Sequence, residues 1–197
     1  MTEWSPPLLL ASGSPRRRTL LDEVGVPVEV CALEIDEGVT PGTPAADAVL
    51  IVARRKAAAA AGRHPGRAVL AADTLVAVGR TLLGKPVDTD DARRMLQLMS
   101  GRWHRVLTGV VLMTADGARE RVATTRVRFA ALDEAEIDRY VAGSEPYDKA
   151  GGYGIQGAAG WFVAEIRGSY SNVMGLPLEE VRTLLTESGL PLPRLGT

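Results

Sequence analysis

The chain has 197 residues, a hydrophobic content of 46% and a formal net charge of −1. This length allows one domain, or two closely packed lobes, with a substantial core. The near-neutral charge argues against a surface that coats nucleic acid or an acidic membrane, so a small charged ligand fits better. The single cysteine, Cys31, excludes an internal disulfide, and no apolar run approaches the roughly 20 residues that span a bilayer. With no recognisable signal peptide, the sequence predicts a soluble cytoplasmic protein.

The first predicted elements are a strand over residues 8–11, a tight turn over 12–14 and a helix that begins at Pro15. Three arginines at 16–18 occupy the first turn of this helix, where the positive end of the helix dipole normally favours acidic residues. A phosphate would interact with both the arginines and the unpaired backbone donors, so this turn is a candidate polyphosphate site. The alternative is a solvated helix start with the arginines in water.

The rest of the chain alternates between strand and helix patterns, which favours an α/β fold with a parallel or mixed sheet. The predicted strands cover residues 26–33, 68–72, 75–78, 81–83, 105–113, 119–129 and 161–166. One predicted helix is capped by Thr43-Pro44 and ends at about Gly62, a second runs from about Asp90 to Met99, and two more begin at Asp133 and Pro177. Short turns at 79–80 and 115–117 predict hairpins, and the last residues are expected to form a tail.

Asp73 follows five small or apolar residues at the end of a predicted strand. A carboxylate in such a position is unfavourable unless a metal, a cation or hydrogen bonds compensate it. Asp73 could therefore hold a divalent cation or take a proton from an attacking water. The alternative is an aspartate that caps a turn beside Thr74.

Two lysines and an acidic pair are further candidates. Lys56 falls on the apolar stripe of its predicted helix, so it needs an anionic partner unless it reaches solvent at the edge of that face. Lys85 lies on a loop, where it could contact a phosphate or simply be solvated. Asp36 and Glu37 could supply oxygen ligands for a Mg²⁺-like ion, or only improve solubility.

The segment 145–157 is rich in glycine and carries charged, aromatic and amide side chains. Its glycines permit close backbone approach, and the amide of Gln156 can form two hydrogen bonds at once, which suits a loop that reads a base. The segment lacks the spacing of a P-loop. His64 and His104 are too few and too scattered to predict a zinc site.

Taken together, these motifs resemble the Maf family of nucleoside triphosphate pyrophosphatases over nearly the whole chain. The matching segments are 10–17, Lys56, 72–74, 84–86, 100–101 with His104, 148–157, 168–170 and 175–178. The resemblance implies a single domain over residues 1–197 with a mixed α/β fold of the Maf/ITPase type, in which a helix-flanked sheet and two lobes form a central cleft. It also implies cleavage of a nucleoside triphosphate to the monophosphate and pyrophosphate, with Mg²⁺ or Mn²⁺ as cofactor, and is consistent with a homodimer.

By position, the resemblance assigns Asp73 as the proton acceptor and assigns Glu37 and Asp73 to a metal. The residues that it implies bind substrate are Ser12, Arg16, Arg17, Lys56, Thr74, Lys85 and Gln156. Arg16, Thr74 and Gln156 match the members that act on dTTP and UTP, whereas a sister group that acts on 7-methylguanosine triphosphate has tryptophan and glutamate at the first and last of these positions. A glutamine amide can pair with two of the groups along one edge of uracil or thymine.

Two other interpretations stay open. The first is a nucleotide-binding regulator, because the family name is tied to septum formation; it would need the phosphate-binding residues but no base. The second is a broad house-cleaning triphosphatase that removes modified nucleotides. In all three cases the expected partner is a nucleotide, with no nucleic acid polymer and no membrane.

Overall fold

The computed structural model describes residues 4–193 and shows the predicted α/β fold with a mixed sheet. The strands are β1 (Leu8–Ala11), β2 (Val28–Val30), β3 (Val69–Val78), β4 (Thr81–Leu83), β5 (Trp103–Thr114), β6 (Gly117–Phe129) and β7 (Val163–Arg167). The α-helices are α1 (Pro15–Glu23), α2 (Ala45–Arg63), α3 (Thr89–Met99), α4 (Glu134–Val141), α5 (Tyr170–Val173) and α6 (Leu178–Glu187). Short 3-10 helices cover Glu145–Asp148, Ala150–Gly152 and Ala158–Phe162. Within residues 4–193, none of the helices is both long enough and apolar enough to cross a membrane.

The seven strands form one sheet in the order β2-β1-β3-β5-β6-β7, with β4 paired to β3 outside this path. β1 is parallel to β2 and β3, whereas β4 on β3 and β7 on β6 are antiparallel. The chain divides into two compact units. Unit 1 comprises Met1–Asp73, Thr108–Ala123 and Gly175–Thr197, and unit 2 comprises Thr74–Leu107 and Thr124–Met174.

Several predicted boundaries need correction. β3 continues through Asp73 without a break, so the alternative that this residue caps a turn is wrong. Gly62 lies inside α2 and does not close it, and the segment 26–33 contains only the short strand β2. β7 begins two residues later than predicted because the preceding residues form a 3-10 helix. The two-residue hairpin turn at 79–80 is confirmed, and the end of the predicted tail, 194–197, lies outside the described residues.

In unit 1, α2 packs very closely against the sheet. Its buried face is rich in alanine. Three of these alanines contact the strands in an apolar cluster of Leu9, Ala11, Ala53, Ala57, Ala60, Val69, Ala71 and Val111. At Gly109 on β5 the contact is with the helix backbone itself, because a Cβ atom added there would lie 2.8 Å from the carbonyl carbon and oxygen of Val49. The helix that carries Lys56 therefore rests on the strand with no side chain between them.

We expect Gly109→Ala to lower the free energy of unfolding by about 1–3 kcal/mol, because the new methyl group overpacks against a helix backbone that cannot rotate away. Gly62→Ala is the matched control: it adds the same methyl group to α2 with nothing within 4 Å, and it should stabilise by up to about 1 kcal/mol through helix propensity. Urea denaturation of the three proteins checks this. Equal stability of Gly109→Ala and the wild type would show that α2 can shift freely.

In unit 2, the core is built around edge-to-face aromatic contacts. Phe129 lies 4.8 Å from both His104 and Tyr153, measured between ring centroids, and 5.9 Å from Phe162. His104 is 1% exposed, and its Nε2 lies 2.8 Å from the hydroxyl oxygen of Tyr153. Because the imidazole is removed from water, burial lowers the pKa of His104 to about 4.

Because of His104, the free energy of unfolding should decrease as the pH is lowered. Unfolded histidine binds a proton near its ordinary pKa of 6.5 whereas folded His104 resists protonation down to about 4, so its contribution is complete above pH 6.5 and is lost as the pH falls towards 4. We expect the loss to amount to roughly 3 kcal/mol by linkage. Denaturation of the wild type and His104→Gln at pH 7 and pH 4.5 measures it, with His64→Gln as control. Parallel acid sensitivity in all three proteins would contradict the assignment.

Candidate active site

The candidate site in unit 1 begins where β1 reaches its carboxyl end at one edge of the sheet. β1 and β3 are adjacent and parallel, with Ala11 opposite Ala71. Ser12 therefore follows the end of β1, whereas Asp73 lies two residues beyond Ala71 within β3, which continues to Val78. From β1 the chain moves through α1 to β2 on one side, while β3 lies on the other side. In open α/β sheets, ligands bind at this kind of topological switch point.

Arg17 is held at this edge by hydrogen bonds from two nitrogens of its planar guanidinium group. Its Nη1 donates to the Ser12 hydroxyl oxygen at 2.9 Å, and its Nε donates to the carbonyl oxygen of Gly175 at 2.8 Å. The side chain is buried, and burial lowers the pKa of its guanidinium, while the nearby carboxylates of Asp73 and Glu37 act in the opposite direction. An arginine remains protonated under such conditions, so this edge carries a fixed buried positive charge.

The three arginines of α1 differ in their environment. Arg17 is buried and Arg16 is half-buried, whereas Arg18 is 62% exposed and lies 3.4 Å from Asp22 one turn further on. A solvated helix start therefore describes Arg18 but not Arg17.

Lys56 joins two carboxylates. Its ammonium nitrogen lies 2.8 Å from Oδ1 of Asp73 and 2.7 Å from Oε1 of Glu37. Lys56 and Asp73 are each only 14% exposed, while Glu37 is 53% exposed. Lys56 thus has the anionic partners that its place on the apolar stripe required, and it offsets the charge of the buried aspartate.

The loop that carries Glu37 is anchored to α2. Arg55 donates hydrogen bonds to the backbone carbonyl oxygens of Asp36 and Gly38. Asp36 accepts a hydrogen bond from the Gly38 amide at 2.8 Å, and its side chain is 86% exposed. Only Glu37 of the acidic pair therefore reaches Lys56, and Asp36 shapes the loop.

The donor set around Lys56 suits a divalent cation that arrives with phosphates. Among residues 4–193 no three histidine, cysteine, aspartate or glutamate side chains converge as a metal cluster. Two carboxylates already surround one cationic group, and Mg²⁺ usually takes one or two carboxylates and completes its shell with phosphate oxygens and water. The metal assignment of Glu37 and Asp73 is compatible with this geometry and stays a prediction.

The other predicted binding residues lie in unit 2. Thr74 is half-buried on β3, and Lys85 and Gln156 are exposed on loops. The two loop segments are in contact, since the Gly151 amide donates to the carbonyl oxygen of Gly84 at 2.8 Å. Gly151 has a φ of +74°, and a Cβ atom there would lie 2.8 Å from Cγ2 of Val76, so glycine is required for this approach.

Two features of the site have no signal in the sequence. The Gly175 carbonyl that holds Arg17 is 158 positions away along the chain, and a backbone acceptor has no side chain to reveal it. Arg55 is one of many exposed arginines, and only the folded loop shows what it binds.

Comparison with known proteins places the chain in a family. A family model described as Maf-like protein matches residues 7–188. The chain belongs to the Maf family. This Maf chain is 53% identical over 193 residues to a dTTP/UTP pyrophosphatase of Anaeromyxobacter dehalogenans (strain 2CP-C), covering 96% of this chain and 97% of the relative. It is 54% identical over 189 residues to a dTTP/UTP pyrophosphatase of Sphingopyxis alaskensis, covering 95% and 99%. The predicted family is therefore confirmed.

Solved structures confirm the fold of the Maf chain. The Ham1 protein of Staphylococcus aureus aligns with a TM-score of 0.53 at 12% identity, covering 93% of this chain and 100% of that one. A HAM1 protein from Coxiella burnetii aligns with a TM-score of 0.51 at 16% identity, covering 92% and 98%. At these identities the likeness concerns the fold alone.

Proposed function

We propose that this protein is a nucleoside triphosphate pyrophosphatase that hydrolyses dTTP and UTP to the monophosphate and pyrophosphate. The main support is the cluster in which Lys56 binds Asp73 and Glu37 next to the buried Arg17. It combines fixed positive charge for phosphates with a carboxylate that can act on water. The relatives named dTTP/UTP pyrophosphatase at 53–54% identity support the same activity.

In the proposed reaction, water attacks the α-phosphorus and its proton passes to Asp73. The new bond joins the water oxygen to the α-phosphorus, and the bond from that phosphorus to the oxygen bridging to the β-phosphate breaks, so that pyrophosphate leaves. Lys56 contacts Oδ1 of Asp73, and the carboxylate of Asp73 is the group that takes the proton in this proposal.

The positive side chains stabilise the charge that develops on the leaving group. Ser12, Arg17 and Lys56 are the proposed phosphate ligands in this cluster, and Lys85 is assigned a phosphate contact by the family resemblance. Because Arg17 is fixed by two hydrogen bonds, its charge needs little reorganisation during the reaction. Glu37 and Asp73 would hold Mg²⁺ or Mn²⁺, which supplies further charge neutralisation at the phosphates.

A panel of nucleotides tests the proposed function. Pyrophosphate release should be fastest with UTP and dTTP, slower with CTP and GTP, and dependent on Mg²⁺ or Mn²⁺. Methylated uridine triphosphates belong in the panel because a house-cleaning enzyme would prefer them. A protein that binds UTP tightly without releasing pyrophosphate would be a regulator, and the proposal would be wrong.

Base recognition is assigned to Gln156 with Arg16 and Thr74. In Gln156→Glu, one of the two hydrogen-bonding groups becomes a second acceptor, which repels an acceptor on uracil or thymine. We expect kcat/KM for UTP and dTTP to fall by about tenfold to a hundredfold, with a much smaller loss for GTP. Steady-state kinetics with the three nucleotides measures the ratio. An equal loss on all of them would show that Gln156 does not contact the base.

The homodimer suggested by the family resemblance has a direct test. Light scattering of the purified protein should give twice the chain mass of 20.9 kDa.

A further inference from the structure

The turn that carries Gln156 has little structure of its own. Gln156 is exposed, and the turn around it is closed by one backbone hydrogen bond, from the Gly157 amide to the carbonyl oxygen of Gly154 at 3.0 Å. A single bond across a turn with a glycine at each end does not fix a side chain well. Something outside the turn must hold it if Gln156 is to select a base.

The carboxylate of Glu145 lies against this turn. Its Oε2 accepts a hydrogen bond from the Ala158 amide at 2.9 Å, directly after the turn. Its Oε1 accepts from the Tyr140 hydroxyl at 2.9 Å and from the Ala159 amide at 3.4 Å. One side chain therefore ties the end of the glycine turn to α4.

The two glycines show how close this packing is. A Cβ atom at Gly157 would lie 2.3 Å from Oε2 of Glu145, and one at Gly154 would lie 2.7 Å from Cε of Lys149. Lys149 in turn donates to the backbone carbonyl oxygen of Glu145 at 2.7 Å. The turn thus packs against the side chains of Glu145 and Lys149, and its two glycines make these close contacts.

Tyr140 strengthens the anchor. It is 7% exposed, and burial together with its hydrogen bond to Glu145 raises the pKa of the phenol, so the hydroxyl stays a donor. Glu145 therefore faces donors only, and a carboxylate satisfies all of them, whereas an amide would direct its own N–H groups at one of them.

We propose that Glu145 is the positioning residue for Gln156 and so sets the preference for pyrimidine nucleotides. The inference rests on the proposed function for its substrates and concerns a residue that acts through the turn, without contact to the reacting atoms. Loss of the anchor should release the turn and weaken base selection while the phosphate cluster of unit 1 keeps its contacts.

The main variant is Glu145→Gln, with Gly157→Ala as an independent way to displace the turn while Glu145 stays in place. Each should reduce the UTP:GTP ratio of kcat/KM by about tenfold or more, mainly through a higher KM for UTP, because small misplacements of binding groups are costly. Tyr147→Phe is the matched control. It removes a nearby hydrogen bond, from the Tyr147 hydroxyl to the carbonyl oxygen of Val141 at 2.7 Å, that does not involve the turn, so its ratio should equal that of the wild type.

A double-mutant cycle distinguishes positioning from a merely structural role. If Glu145 acts through Gln156, then Glu145→Gln should not lower the UTP:GTP ratio any further in a Gln156→Ala background. Additive losses in the ratio, or an equal fall in kcat on all nucleotides, would overturn the inference.

The same double-mutant cycle can be measured without catalysis. Its readout is the ratio of the dissociation constants of two analogues, one of UTP and one of GTP, that carry a methylene group between the α- and β-phosphates. If the wild type binds with a pyrimidine preference but hydrolyses nothing, the proposed function fails while the cycle still tests Glu145. If Glu145→Gln keeps the binding preference of the wild type, or if the wild type has no preference, the inference about Glu145 is wrong even where hydrolysis is confirmed.

Discussion

Asp73→Asn should lower kcat for UTP and dTTP by about 10²-fold to 10⁴-fold, the range that a positioned general base contributes. Asparagine has the same shape and can still accept a hydrogen bond from Lys56, which contacts one oxygen of Asp73 at 2.8 Å. It cannot take a proton from water. The variant should therefore fold normally and lose the chemical step, and pyrophosphate release under saturating nucleotide with Mg²⁺ measures that loss.

Asp47→Asn is the matched control, since Asp47 is exposed in the first turn of α2 and the substitution should leave kcat unchanged. Turnover near that of the wild type would show that Asp73 is not the base, and a fall in thermal stability comparable to a core mutation would point to a structural role.

Arg17→Lys should have the second largest effect, although it keeps the positive charge. Lysine is a single flexible donor centre and cannot reproduce the fork that binds both the Ser12 hydroxyl and the Gly175 carbonyl. A buried acceptor left without its donor costs about 1–3 kcal/mol, so we expect a loss of that size in the free energy of unfolding. We also expect KM for UTP to rise at least about tenfold, because the phosphate-binding charge is no longer fixed.

Arg18→Lys is the control for this prediction, because it makes the same exchange one residue away on the same helix. Arg18 is 62% exposed and pairs with Asp22 across one turn, and such surface pairs contribute at most about 1 kcal/mol. Urea denaturation and steady-state kinetics of the two variants should therefore differ clearly. Matching behaviour would mean that the buried geometry of Arg17 has no role in binding.

Local chemistry made much of the fold predictable. The apolar run before Pro15 correctly predicted a strand, a turn and a helix, since proline favours the first helical position and cannot continue a strand. The hairpin at 79–80 followed from turn chemistry alone. The sequence did not predict that β3 continues through Asp73. A charged residue indicates the end of a buried strand unless a partner for its charge is known, and the partner here, Lys56, is distant in sequence.

The candidate site was predictable where a residue violated its local pattern. Lys56 on an apolar stripe and Asp73 on an apolar strand each needed an opposite charge, and the structure pairs them with each other. The pattern could not show that Glu37 joins the pair while Asp36 faces solvent, because that depends on how Arg55 binds the loop. The anchoring role of Glu145 could not be predicted from the sequence either. Its carboxylate oxygens accept hydrogen bonds from the backbone amides of Ala158 and Ala159, and every residue except proline has such an amide.

The close packing of α2 against the backbone of β5 has a consequence for engineering of the site. With Gly109 against the backbone of Val49, and with Ala53, Ala57 and Ala60 in the cluster that contacts the strands, the helix has little room to move closer to the sheet. Changes in the length of the side chain at position 56 should therefore alter where the cationic tip ends, without compensation by tilting of the helix. A redesign for shorter or longer polyphosphates would begin with that side chain and leave the interface intact.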